Sequence, residues 1–168
     1  MKKFSVISLS LVLLLSCAAP LKAPLKKTAA TDYIQGKNEW QTLSTPLFYP
    51  QELADTIETY LGIPYLWGGD TREGMDCSAF TRRIFRIYGI ELPRVSILQS
   101  KIGIKIPKHA LLAGDLVFFG DADSVTHVGI YMGKNTFANA TTSAGIKYSN
   151  LDEPSWLAKY LFARRIKR

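Results

Sequence analysis

Residues 68–85 read GGDTREGMDCSAFTRRIF. Gly68, Gly69 and Gly74 mark the first part as a loop. Past Asp76 the pattern changes. Phe80, Ile84 and the pair Ile87/Tyr88 recur at i, i+4 and i+7/8, which predicts a helix from about Cys77 to Tyr88. Asp76 is placed to cap that helix and Gly89 to close it. A cysteine therefore stands at the head of a helix, where backbone N–H groups are unpaired and the macrodipole is positive. Both effects favour thiolate over thiol, so the spacing predicts a nucleophilic Cys77 with a lowered pKa.

Working outward, Leu53, Ile57 and Tyr60/Leu61 share one face of a helix over 51–61, ended by Gly62 and Pro64. PYLWGG at 64–69 is a loop, and a short helix is expected near 96–102. The second half alternates short apolar runs with turn residues. Segments 115–119, 127–133, 136–141, 145–149 and 160–166 read as strands. Helices first and a strand meander later predict an α+β domain, its helices packed on one face of an antiparallel sheet of about five strands.

A nucleophilic thiol needs a base, and the chain has two histidines. His109 lies in a polar approach to a turn and reads as a surface residue. His127 opens an apolar strand that can aim it. Asn139 is the candidate third member, conditional on the register of one hairpin. If Gly133-Lys134-Asn135 forms a three-residue loop, Met132 pairs with Thr136 and Asn139 lies diagonally from His127 on the same face. A two-residue loop turns Asn139 to the opposite face.

DCSAF leading into a helix, AGDLVFF, HVGIYMG and FANAT, with PYLWGG and LPRVS, resemble the successive motifs of the NlpC/p60 family of bacterial cell-wall cysteine peptidases. The resemblance runs from about Ile63 to Ile166. It implies a papain-like core and hydrolysis of amide bonds in peptidoglycan stem peptides, commonly between D-isoglutamate and meso-diaminopimelate or lysine. It implies Cys77 as nucleophile, His127 as general base and Asn139 as the polar third member, often histidine in the family. Tyr65 matches a tyrosine whose hydroxyl approaches the thiol. The Cys77 N–H is a candidate oxyanion donor. Asp76 and Ser78 match positions that in some members hold the free amine of an N-terminal L-alanine, and Arg94 and Ser96 are expected to line the substrate groove. Ala79 departs from the usual glycine after DCS. On the same fold, amidase, acyltransferase and non-catalytic wall-binding readings stay open.

The N-terminus reads as an export signal over 1–16. Lys2 and Lys3 precede an apolar run, Phe4 to Leu15, of roughly 18 Å as a helix, against about 30 Å for a bilayer core. LLSC at 14–17 resembles a lipobox, which implies a lipid-modified Cys17; an ordinary signal peptide cut near Ala18 or Ala19 is the alternative. Residues 17–45, with APLK twice, read as a flexible tether, and 46–168 as the catalytic domain. With Cys17 in the signal region, Cys77 is left as a lone thiol in an exported protein. The net charge of +7 favours anionic partners, but no nucleic-acid module is legible. A Cys/His zinc site wants about four ligands and too few are present, so no metal or other cofactor is expected. The expected partners are peptidoglycan stem peptides and, through Cys17, a membrane. The expected setting is a monomer in the cell envelope, on an outer membrane facing the periplasm.

Overall fold

The computed structural model describes residues 47–121 and 124–167. The signal segment, Cys17 and the tether lie outside them.

Helix α1, Pro50–Glu58, buries Leu53 and Ile57. A hairpin of two-residue strands follows, β1 (Asp70–Thr71) and β2 (Gly74–Met75), inside the glycine-rich loop. Helix α2, Cys77–Ile87, buries Phe80, Ile84 and Phe85, the face that its periodicity marks. Ala79 is also fully buried in this core, so its extra methyl meets helix packing and not the groove. Helix α3 is a single turn, Ser96–Gln99.

Six strands form one antiparallel sheet in the order β3-β8-β4-β5-β6-β7. They are β3 (Ile104–Ile106), β4 (Leu116–Asp121), β5 (Ser124–Gly133), β6 (Thr136–Thr141), β7 (Gly145–Asn150) and β8 (Tyr160–Arg165). The expected five are all present. The sixth, β3, pairs with the edge of β8. Alternation along the strands divides the interior. Phe118, Val128, Ile130 and Ala138 face helices α1 and α2. Val117, Phe119, Tyr131 and Phe137 face the other way, where Trp156 of the short helix α4 (Pro154–Leu157) packs on them.

The β5–β6 hairpin decides where Asn139 points. Its turn has two residues, Lys134 and Asn135, both left-handed at φ 49° and 58°, with Gly133 opposite Thr136. Alone, that turn would put Asn139 on the wrong face. A bulge between Tyr131 and Gly133 then pairs Tyr131 with Phe137 and Ile130 with Ala138. These are the pairs a three-residue loop would give. The expected face is reached with the extra residue placed in the strand instead of the turn. Gly129 permits this pairing: a Cβ there would lie 2.6 Å from the Phe137 ring and 2.8 Å from the Ala138 carbonyl oxygen. Because Lys134 holds a left-handed conformation costly for a side chain, Lys134→Gly is expected to stabilise the domain by about 0.5–1 kcal/mol. A lower urea midpoint for the variant would contradict this.

Candidate active site

Cys77 is the first residue of α2. Asp76 caps the helix, its Oδ1 accepting the Ala79 N–H at 2.8 Å. The amides of Val128, Ser78 and Cys77 each act to favour the thiolate. The Val128 amide places the thiol against the sheet. Strand β5 pairs with β6 only from Ile130 to Gly133. Below Ile130 β5 has no β6 partner, and there the Val128 amide acts on the Cys77 thiol, so the helix head sits near the point where β5 and β6 part.

His127 precedes Val128. Its ring packs between Trp156, at 5.2 Å between centroids, and Phe119, at 6.0 Å. His127 Nε2 lies 3.2 Å from Asn139 Oδ1, while Asn139 Nδ2 donates to Ser149 Oγ at 3.0 Å. The Ser149 contact ties the Asn139 amide to β7. With Asn139 Oδ1 facing the ring, the tautomer protonated at Nε2 satisfies this contact, and in it Nδ1 keeps its lone pair for a second partner. Asn139 is fully buried, so this orientation is held without competition from water. Tyr65, bridged to Met75 of β2, completes this side; burial and the nearby Cys77 and Asp76 push its hydroxyl pKa up.

The charge state differs from the expectation for Cys77. Burial pushes the thiol pKa above its ordinary value. The Val128, Ser78 and Cys77 amides pull it down, and the Asp76 carboxylate adds to the upward push. Burial likewise lowers His127, to about 4; the Asn139 hydrogen bond opposes this and the Lys159 charge assists it. Both groups are neutral at pH 7. Helix-end amides alone do not ionise the sulfur, because its desolvation outweighs them.

The lowered His127 value has a consequence for stability. The unfolded chain takes up the imidazole proton near pH 6.5, before the fold does. This contribution is whole above pH 6.5 and is lost as the pH falls toward 4, by at most ~3 kcal/mol. Urea unfolding of the wild type should therefore lose more stability over that interval than His127→Gln does. Parallel curves would contradict the assignment.

Asp76, Ser78 and Arg94 form one cluster, but it is committed internally. Asp76 Oδ1 accepts from Ser78 Oγ at 2.9 Å and Arg94 Nη1 at 3.0 Å, and Oδ2 from Arg94 Nη2 at 2.8 Å and the Gly68 N–H at 3.2 Å. Arg94 also donates to Ser78 Oγ and to the Gly69 carbonyl. These bonds hold Asp76 well below the usual carboxylate range against the opposing effect of burial. The fork of Arg94 is thus spent on the cap of the nucleophile's helix. Ser96 opens α3 and shares none of these contacts. His109 lies exposed in a single 3₁₀ turn, Lys108–Ala110, as a surface histidine would. Among the described residues, no group of three His, Cys, Asp or Glu side chains is placed to hold a metal.

Sequence reasoning missed Ser149, Trp156 and the Val128 amide. Ser149 lies in β7, opposite Phe137 and two residues from the partner of Asn139. Its alternation with Lys147 was the available signal.

A cysteine at a helix head, an imidazole on the adjoining strand and a buried amide hydrogen-bonded to that imidazole are the residue types that a papain-like thiol hydrolase uses. Residues 62–165 match the model of the NlpC/P60 family. The chain belongs to the NlpC/P60 family. Among its relatives is the murein DD-endopeptidase MepS/murein LD-carboxypeptidase of Escherichia coli (strain K12), 37% identical over 131 residues, which are 77% of this chain and 70% of that protein. The gamma-D-glutamyl-L-lysine dipeptidyl-peptidase of Bacillus cereus is 35% identical over 148 residues, 86% of this chain and 43% of the other. The crystal structure of an NlpC/P60 family protein from Bacillus cereus superposes with a TM-score of 0.67 at 35% identity, over 71% of this chain and 41% of that one. The chain thus spans less than half the length of each of these Bacillus cereus matches. The NlpC/P60 match covers both the helix that carries Cys77 and the sheet that carries His127 and Asn139.

Proposed function

We propose that this protein is a peptidoglycan hydrolase, a cysteine endopeptidase that cleaves the amide bond between D-isoglutamate and the diamino acid of stem peptides. The observation that carries the reading is the Asn139–His127 hydrogen bond on the strand against which the helix headed by Cys77 packs.

Both groups start neutral, so proton transfer accompanies attack. His127 Nδ1 takes the thiol proton as Sγ adds to the scissile carbonyl carbon. The Cys77 N–H at the helix head is the candidate donor to the oxyanion that forms. The imidazolium returns the proton to the leaving nitrogen, the C–N bond breaks, and a thioester remains on Cys77. A water deprotonated by His127 then attacks the thioester carbon, the C–S bond breaks, the imidazolium returns its proton to the sulfur, and the new carboxyl group is freed. Asn139 holds the ring through both steps, and Arg94 acts indirectly by fixing the Asp76 cap.

A second reading has one observation in its favour. The relative from Escherichia coli is named for DD-endopeptidase and LD-carboxypeptidase activity. Mass spectrometry of defined muropeptides after digestion separates the cases. A new amine on the α-carbon of the diamino acid supports the proposal. A new amine on its side chain, or release of a terminal D-residue, supports the alternative, and a freed muramic lactyl group supports an amidase.

We also read Cys17 as a lipid-modified residue that anchors the domain as a monomer to the periplasmic face of an outer membrane. The LLSC stretch and the tether-like composition support this. Cys17→Ser is expected to move the protein from the membrane fraction to the soluble fraction. Unchanged membrane association would end that part of the reading.

A further inference from the structure

A cleft of about 330 Å³ opens on His127. Tyr65 links it to the neighbourhood of the thiol, but Cys77 is not among the residues that line it. In the mechanism above, His127 protonates the leaving nitrogen. On that mechanism, the part of the substrate that continues from that nitrogen lies nearest this cleft.

The cleft has a definite chemistry. Lys147 and Lys159 line it, with hydroxyls from Thr142, Ser143 and Ser155, and no acidic side chain does. Lys147 stands directly opposite Asn139 in the β6–β7 ladder, so the two side chains share the face that carries His127. Lys159 immediately precedes β8, and its carbonyl accepts the Gly120 N–H at 2.9 Å, which fixes its backbone against β4. The Lys159 charge is close enough to act on His127. The ion pairs formed among the described residues use Arg82, Arg83, Arg86, Arg94, Lys108 and Arg165 and leave both of these lysines without a carboxylate. Two such ammonium groups and three hydroxyls suit a carboxylate.

We propose that this cleft is a carboxylate-binding subsite for the leaving residue, with Lys147 and Lys159 as its specificity-determining groups. The inference rests on the proposed function. It makes the protein selective for stem peptides whose diamino acid presents a free carboxylate, from its side chain as in meso-diaminopimelate or from its own α-carboxyl at the end of a shortened stem.

Binding can be tested without turnover. The full chain carrying Cys77→Ala is titrated calorimetrically with stem peptides that end in the diamino acid. In separate arms the side-chain carboxylate, the terminal α-carboxylate or both are amidated. Amidation of at least one carboxylate is expected to weaken binding about 10-fold or more. In Lys147→Gln/Lys159→Gln the same amidation should make no difference, and the arm that responds identifies the carboxylate recognised. Both lysines are exposed, so the variants should match the parent in thermal unfolding. Equal affinity for free and amidated peptides, or a preference undiminished in the double variant, would overturn the subsite. If the wild type cleaves none of these peptides while carboxylate-dependent binding persists, the catalytic reading fails and the subsite stands.

Discussion

Cys77→Ala is expected to lower turnover of muropeptides by a factor on the order of 10⁴ or more, to the background of the assay. The sulfur is the atom that bonds to substrate, and no other side chain at the helix head replaces it; Ser78 is next in sequence but its hydroxyl is bonded to Asp76. His127→Ala should cost about 10³-fold, since the neutral thiol then has no base and the leaving nitrogen no acid. The two losses should not add: Cys77→Ala/His127→Ala is expected to be no slower than Cys77→Ala, because the two groups act in one sequence of steps. Cys77 is 6% exposed and contributes a small side chain to the core, so Cys77→Ala should keep its unfolding transition near that of the parent. Retained turnover in a folded Cys77→Ala protein would remove the mechanism.

The largest effect on stability is expected far from the thiol. Asp115 and Arg165 are 1% and 4% exposed and form a bidentate pair, Nε to Oδ1 at 2.8 Å and Nη2 to Oδ2 at 2.7 Å. Burial pushes the Asp115 carboxyl up, while Arg165 and the Leu112 N–H pull it down. Two short charge-assisted bonds keep the pair ionic. Asp115 also accepts the Leu112 N–H at 2.8 Å, and Arg165 donates to the Ala110 carbonyl at 2.9 Å. The pair therefore ties the approach to β4 to the last strand. Asp115→Ala leaves the guanidinium buried without its carboxylate and should cost about 3–5 kcal/mol, a large part of a domain's stability of about 5–15 kcal/mol. Asp115→Leu/Arg165→Met should recover much of this, because it removes the stranded charge. Chemical denaturation of the three proteins checks both statements. An Asp115→Ala loss below about 1 kcal/mol would show that the pair is not what fixes this end of the sheet.

The nucleophile's helix was legible in the sequence because its signals are local. The Asp76 cap, the Phe80–Ile84 period and Gly89 lie within one stretch, and helix α2 differs from the expectation by a single residue at its end. The five longer strands were legible for the same reason. Strand β3 was not, since Ile104-Lys105-Ile106 is too short for alternation to register and exists by pairing with β8. The hairpin had two open alternatives, and the structure combines them: the turn has two residues, and a bulge in the strand restores the facing that a three-residue loop would give. The charge of Cys77 was not legible at all. Unpaired amides follow from chain position, but desolvation depends on what packs around the sulfur, and that includes a strand fifty residues away. Ser149, Lys147, Trp156 and Lys159 were missed similarly, because they reach His127 only through the closing of the sheet and the turn before β8.

The central claim, covalent catalysis at Cys77, is tested most directly by a stem-peptide analogue whose scissile amide is replaced by an activated aryl ester, so that acylation outpaces deacylation. Intact-mass analysis of rapidly acid-quenched protein is predicted to show one acyl adduct, mapped to Cys77 by peptide digestion, with a burst of one phenol per protein. Linear phenol release with no adduct, or an adduct on any other residue, would contradict the account.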